Sequence, residues 1–321
     1  LLIADSISKK FSQKKAVDSL SFSVQKGKIT GLLGPNGAGK TTTLRILTGY
    51  LKPSSGRVIY DDLNLDSSPW EVQKKLGYLP ENAPLYQDMT VEEYLQFMAD
   101  ARAVPGSERK RSIERVTNAC QLNSHFYHPI FQLSKGFRQR VALGACLIHD
   151  PDYLILDEPS TGLDPNQITE IRKLILSIAK EKTVILSTHI LQEVMEICDQ
   201  VLILSNGKKV LDAPTENLGS STLVQFQIQA RYSDLIGFFE KSGMKDLREI
   251  SEVGPGNSGS PESKIGSEEP YRDFLVDSAG FGSEGVFKIL ASLERPVREL
   301  KPFQRSLESV FSELTIKDKQ K

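Results

Sequence analysis

The sequence predicts an α/β fold. A three-layer core is expected over 1–219, with a helical subdomain inserted at about 85–150, and a small α+β domain over 220–321. Three observations lead there. Short apolar runs with few polar breaks recur along the first two thirds of the chain, as strands buried on both faces require. Helical periodicities alternate with those runs until about 85, where strands stop and helices take over. A glycine-rich segment, Gly34-Pro-Asn-Gly-Ala-Gly-Lys-Thr41, joins one apolar run directly to a helix. A length of 321 residues suits about two domains with ample material for a core.

The strand candidates are 29–33, 57–60, 153–156, 183–187 and 201–204. Helix 165–180 has clear punctuation: Asp164 can cap it, Pro165 fits its first turn, and Ile168, Ile171, Ile175 and Ile178 repeat at helical spacing. Asn206-Gly207 between two strand-like runs predicts a type I′ hairpin. In the helical insert, Thr90 and Glu93 form a capping box ahead of an apolar stripe of Val91, Tyr94, Leu95 and Met98. Past 220, strict alternation over 223–229 predicts a half-exposed strand. A helix, strands near 246–250 and 271–277, and helices at 283–293 and 306–316 follow. That order is close to a β-α-β-β-α-β split unit. The Gly/Ser/Pro-rich stretch at about 253–268 reads as a disordered loop.

Composition removes several function classes. Forty basic residues balance 41 acidic ones, a net charge of −1 that gives no electrostatic footprint for nucleic acid. The basic run Glu108-Arg-Lys-Arg-Ser-Ile-Glu-Arg115 has acidic residues interleaved, as a solvated helix face does. Cys120, Cys146 and Cys198 lack disulfide or metal spacing and sit among apolar neighbours, so reduced, buried thiols are expected. No apolar run approaches the ~20 residues that span a bilayer. With no secretory signal in view, a soluble cytosolic chain is expected, with a residue or two preceding Leu1.

Residues 34–41 match G-x-x-x-x-G-K-[ST] without a mismatch, the pattern of a phosphate-binding loop. Glycines let successive N–H groups point inward at an anion, and the following helix adds its N-terminal donors. Gly34, Pro35, Asn36, Gly37, Ala38 and Gly39 form that cradle. Lys40 can reach the terminal phosphates, Thr42 adds an N–H and a hydroxyl, and Thr41 can ligate Mg²⁺. This alone admits GTPases, kinases, helicases and transporters. The apolar strand Tyr153-Leu-Ile-Leu-Asp-Glu158 narrows the choice, because it delivers Asp157 to hold Mg²⁺ and Glu158 to polarise an attacking water.

Together with Leu133-Ser-Lys-Gly-Phe137 and the loop ending at Asp164, this set resembles the ATP-binding cassette (ABC) family over about 1–215. The family signature is usually Leu-Ser-Gly-Gly-Gln, so the match keeps Ser134 and Gly136 and departs at Lys135 and Phe137. The resemblance implies a P-loop NTPase core, ATP and Mg²⁺ as cofactors, and hydrolysis coupled to transmembrane transport. It implies a head-to-tail pair of nucleotide-binding domains in which Ser134, Lys135 and Gly136 of one copy meet the γ-phosphate held by the other. Within the same resemblance, His189 stands at the switch histidine, Phe11 at the aromatic that stacks on adenine, and Glu81 at a metal-facing position usually occupied by Gln. The stretches Tyr78-Leu-Pro-Glu-Asn82, Leu143-Gly-Ala-Cys-Leu-Ile-His-Asp-Pro151 and Asp164-Pro-Asn-Gln167, with the ending Ser306–Thr315, look most like gliding-motility-associated and multidrug-type export ATPases. A separate integral-membrane permease is the implied partner; the surface around Tyr78–Met89 is the expected contact, with Leu85, Tyr86 and Met89 as the apolar residues that would dock a permease helix. The chain would then be peripheral on the cytoplasmic face of the inner membrane. The alternative is a soluble cassette ATPase acting on ribosomes or nucleic acid; such proteins usually carry two cassettes, coiled coils or basic tracts, and this sequence has none of these.

Overall fold

The α/β alternation of the first 200 residues resolves into two sheets packed around one helix. The computed structural model describes residues 1–217, 223–250 and 270–302, which fall into two units, Leu1–Thr215 and one beginning at Glu216. In the first unit, β3 (Ile29–Leu33), β6 (Leu76–Leu79), β7 (Tyr153–Asp157), β8 (Thr183–Thr188), β9 (Gln200–Ser205) and β10 (Lys208–Pro214) form a sheet of order β10-β9-β3-β8-β7-β6. Its pairings are parallel except for β10, which runs antiparallel to β9. Every residue of β3, β7 and β8 is buried, which explains their mostly apolar character.

Of the second sheet, only the strand at 57–60 was expected from the sequence. β1 (Leu2–Phe11), β2 (Lys14–Val24), β4 (Ser55–Tyr60) and β5 (Leu63–Asn64) pair antiparallel in the order β2-β1-β4-β5. The cause of the omission is physical. Ser6 (φ 51°) and Ser19 (φ 49°) lie in register irregularities of the β1–β2 pair. A bulge inserts one residue and shifts the inward set by one. The buried positions therefore run Leu2, Ala4, then Ile7, and Val17, then Leu20, Phe22, Val24, which breaks a period-2 pattern.

Helix α1 (Lys40–Leu47) packs Leu44, Ile46 and Leu47 into a single buried cluster that also takes Leu2, Ile7 and Tyr60 from one sheet and Leu32, Ile155 and Leu202 from the other. The helix that follows the glycine-rich loop is thus fixed from both sides. Helices α2 (Pro69–Lys74), α3 (Val91–Ala101), α4 (Gly106–Ala119) and α5 (Lys135–Leu147) lie between β5 and β7, and α6 (Pro165–Ala179) and α7 (Leu191–Ile197) follow β7 and β8. The capping box of α3 is formed: Thr90 N–H donates to Glu93 at 2.8 Å and Glu93 N–H to Thr90 Oγ1 at 3.2 Å. Asp164 caps α6 by accepting from Gln167 N–H at 3.0 Å. Leu174 joins Ile171, Ile175 and Ile178 as the buried face of that helix, while Ile168 is half-buried.

Asn206 (φ 48°) and Gly207 (φ 78°) make the β9–β10 turn, with both central residues in the left-handed region that a type I′ turn requires. Gly207 N–H donates to the Ala38 carbonyl at 2.9 Å, and its own carbonyl accepts from Asp18 N–H at 2.8 Å.

In the second unit, β11 (Leu223–Ile228), α8 (Tyr232–Lys241), β12 (Lys245–Ile250), β13 (Arg272–Asp277), α9 (Gly282–Ser292) and β14 (Val297–Pro302) follow in β-α-β-β-α-β order. The sheet is antiparallel, ordered β12-β13-β11-β14. Phe226 stacks on Phe239 at 5.5 Å and on Phe274 at 5.6 Å in its core. The expected loop at 253–268 and helix at 306–316 lie outside the described residues.

Candidate nucleotide site

The loop Gly34–Gly39 leaves the buried end of β3 and enters α1 at Lys40. Gly39 sits at φ +104°, and a Cβ there would fall 2.5 Å from the Ala16 carbonyl oxygen of β2. A Cβ at Gly34 would meet the Leu204 carbonyl of β9 at the same distance. Both glycines are therefore required by close backbone approach, and that approach holds the loop in shape. Lys40 is 6% exposed. Its Nζ donates to the Gly34 carbonyl at 2.8 Å and the Pro35 carbonyl at 3.3 Å, and lies 3.4 Å from Glu158 Oε1.

Two carboxylates end the neighbouring strand. Asp157 closes β7, and Glu158 turns away at φ 49°. Ser187, at the end of β8, orients both: its hydroxyl donates to Asp157 Oδ1 at 2.6 Å and accepts from Glu158 N–H at 3.0 Å. Thr41 Oγ1 donates to the same Asp157 oxygen at 3.3 Å. Glu158 Oε2 accepts from Thr161 Oγ1 at 3.1 Å and lies 2.8 Å from His189 Nδ1. Asp157 and Glu158 thus have different environments, one buried against hydroxyls and one held by a cation, a hydroxyl and an imidazole.

Asp157 Oδ2 is buried and has no hydrogen-bond partner among the described residues. An unsatisfied buried carboxylate oxygen is costly. With the Thr41 hydroxyl beside it, it offers hard oxygen donors that suit Mg²⁺, whose other ligands would be phosphate oxygens and water. Among the described residues no group of three or more His, Cys, Asp or Glu gathers for a metal. Burial pushes the Asp157 carboxyl above its ordinary range, and the nearby Glu158 charge adds to the push, against the hydrogen bonds from Ser187 and Thr41. A carboxyl raised in the folded state contributes stability fully below its ordinary value of 3.8. That contribution is lost as pH rises through the raised value. Asp157→Asn, which removes the uncompensated charge, is accordingly expected to raise the ligand-free melting temperature by roughly 2–4 °C. It should also abolish the extra stabilisation that Mg²⁺ gives with ATP; calorimetry with and without the metal measures both.

These groups open onto a cleft of about 640 Å³. Asn36, Gly37, Gly39, Lys40, Thr41 and Thr42 line it, together with Glu158, Thr161 and His189. Phe11, Lys14 and Ala16, from the β1–β2 hairpin, line it too, as does Glu81, two residues past β6. The Phe11 ring is half exposed, with the Lys9 ammonium 5.5 Å from its centroid. Ser134, Lys135 and Gly136 do not line this cleft. Ser134 caps α5 by accepting from Phe137 N–H at 3.3 Å, Gly136 abuts Gln167 of α6, and the Lys135 ammonium lies against Gly162.

Ser187, Thr161, Lys14 and Glu193 were missed by the sequence reading. Ser187 and Thr188 had a legible signal, as hydroxyls following the apolar run Val184-Ile-Leu186. Glu193, 2% exposed, joins two loops: it accepts from Ser160 Oγ at 2.5 Å and Thr188 Oγ1 at 2.6 Å, with Arg172 at 3.5 Å.

A family model described as ABC transporter matches residues 17–161. An ABC transporter ATP-binding protein of Methanocaldococcus jannaschii is 42% identical over 64% of this chain and 74% of its own length. The "Probable multidrug ABC transporter ATP-binding protein YbhF" of Escherichia coli is 37% identical over 67% of this chain, but only 37% of its own length. Among solved structures, cbiO1 from Clostridium perfringens, part of the ABC transporter complex cbiONQ, superposes with a TM-score of 0.63 at 28% identity. That match covers 68% of this chain and 89% of cbiO1.

Proposed function

The chain belongs to the ABC transporter family as one of its ATP-binding, ATP-hydrolysing subunits, and from that premise we propose that it drives a separate membrane permease by closing head-to-tail with a second copy around two ATP molecules. The observation that carries this reading is a separation. The phosphate loop, Glu158 and His189 share one open cleft, while Ser134 and Gly136, the donors suited to the far side of a γ-phosphate, stand outside it on the same chain. A second copy supplies them.

In the assembled site, loop N–H groups and Lys40 take the β- and γ-phosphates, and Phe11 stacks on adenine. Thr41, Asp157 and Glu81 would hold Mg²⁺, which when bound would supply positive charge where the phosphate oxygens gain negative charge. Lys40 exchanges its contact with Glu158 for phosphate oxygen, which releases the carboxylate to accept a proton from the attacking water. His189, at Glu158 Oε2, keeps that carboxylate aimed and faces the γ-phosphate. Copies closing together exclude bulk water, and departure of ADP and phosphate reopens them.

Turnover at low subunit concentration should then rise with the square of that concentration, which a dilution series of the ATPase rate measures. Ser134→Glu should cut turnover by about 10²-fold through like-charge repulsion at the γ-phosphate, with ATP affinity of the single subunit unchanged. A linear dilution series sinks the pairing.

Export is the direction we assign, supported by the multidrug relative and by the sequence likeness to export ATPases; the site of action is the cytoplasmic face of the inner membrane. Among the described residues no helix is long and apolar enough to cross a membrane. Half-buried Leu85 and Met89 and the exposed Tyr86, whose ring meets Phe97 edge-on at 5.2 Å, form the surface we assign to a cytoplasmic permease helix. Leu85→Asp with Tyr86→Asp should abolish transport in vesicles and leave basal ATPase intact; wild-type transport by that variant removes the surface from this role.

A further inference from the structure

The basic run on α4 does more than face solvent. Arg111, Ser112 and Arg115 line a second cavity of about 450 Å³, at the junction of the helical insert with the core. Arg102 enters it from the loop after α3, Lys74 from the end of α2, and His149 with Asp150 from the segment between α5 and β7. We propose that this cavity binds a phosphate-bearing anion, a site separate from the nucleotide cleft.

Charge pairing carries the argument. Arg115 is committed, donating to the Leu147 and Ile148 carbonyls at 3.0 and 3.3 Å and meeting Asp150 at 3.3 Å. Asp150 is also held by Lys182 at 2.5 Å, so its charge is already spent. The side chains of Lys74, Arg102 and Arg111 make no hydrogen bond or ion pair with any described residue. Glu108 is the one further carboxylate in the lining. Three unpaired cations against one carboxylate leave about two positive charges, which matches a phosphomonoester carrying −1.5 to −2. Guanidinium forks suit its oxygens bidentately, and the Ser112 hydroxyl can donate as well. The volume lies within the usual range of small-ligand sites. Because its walls come from both the insert and the core, a bound anion would tie the two together.

His149 supplies a local reporter. Its Nε2 lies 3.1 Å from the Leu76 carbonyl, and burial, with repulsion from Arg102 and Arg115, lowers its pKa to about 4. An anion that neutralises those guanidiniums must raise it. The chain has four histidines, so one imidazole resonance can be followed through a titration. The full-length chain, with ADP saturating the phosphate loop, is titrated with inorganic phosphate. The expected result is a saturable shift of the His149 resonance and an upward move of its pKa. Arg102→Gln with Arg111→Gln should weaken this binding at least tenfold, the effect of losing about one charge-assisted hydrogen bond. Lys74→Gln is the milder variant should the double one fail to fold. A second arm adds vesicles of phosphatidic acid or of phosphatidylcholine alone. Phosphatidic acid vesicles that compete with phosphate at His149 point to a headgroup as the source, and phosphate binding without such competition points to a soluble phosphate ester. A His149 resonance indifferent to both phosphate and phosphatidic acid, or affinity unchanged by Arg→Gln and Lys→Gln, overturns the proposal.

Discussion

Glu158→Gln should lower the ATP turnover number by at least about 10²-fold, a typical general-base contribution, while ATP still binds. Gln is nearly isosteric and can still accept from Thr161, and its backbone N–H still reaches Ser187, so the αL turn at φ 49° is undisturbed. What disappears is the basic oxygen beside His189 Nδ1. There is a second effect of opposite sign on binding. In the ligand-free chain the Lys40 ammonium lies 3.4 Å from Glu158 Oε1 with both side chains buried. Any phosphate entering the loop competes with that carboxylate for the same cation. The Gln variant removes the competitor, so its ATP affinity should equal or exceed that of the parent. Single-turnover kinetics with an equilibrium titration separate the two effects; turnover within a few-fold of the parent would remove Glu158 from the base role.

Lys40→Ala has the larger effect on binding, about 10²-fold or more in ATP affinity, as expected for two charge-assisted hydrogen bonds at about 1.5–3 kcal/mol each. The side chain is almost fully buried, so its loss leaves the loop carbonyls and Glu158 without their cation. Glu158, without the buried cation beside it, then repels the incoming phosphates strongly where water is excluded. Arginine is not expected to rescue, because its rigid fork differs from the compact ammonium that donates to the Gly34 and Pro35 carbonyls. Isothermal titration with ATP measures the loss, and an affinity unchanged in the Ala variant would break the assignment.

How much of this was legible beforehand follows from where the chemistry is local in sequence. The phosphate loop, the acidic end of β7 and the caps at Thr90 and Asp164 are each contained in one short stretch, so residue type and spacing sufficed. Ser187 was passed over because its importance lies in bridging Asp157 and Glu158 across thirty residues of chain. The β1–β2 sheet was hidden by Ser6 and Ser19, whose irregularities put the apolar positions out of step. That omission mattered for the site, because this sheet presents Phe11, Lys14 and Ala16 to the cleft. The α4 run Glu108–Arg115 shows the reverse case. Its alternating charges gave no reason to expect a concave surface, since the opposing wall comes from α2 and the α5–β7 connection.

The β9–β10 turn has a kinetic consequence. Gly207 is bonded to Ala38 on one side and Asp18 on the other, and Ala16 closes over Gly39. The anion cradle is thereby stapled to two strands before any nucleotide arrives. Little backbone entropy remains to be lost on binding, so capture should approach the encounter-limited regime with a small temperature dependence. The Gly207 amide should exchange with deuterium as slowly in the free chain as in the loaded one. Loosening that staple would then register first as a slower association rate, with the chemical step behind it unaltered.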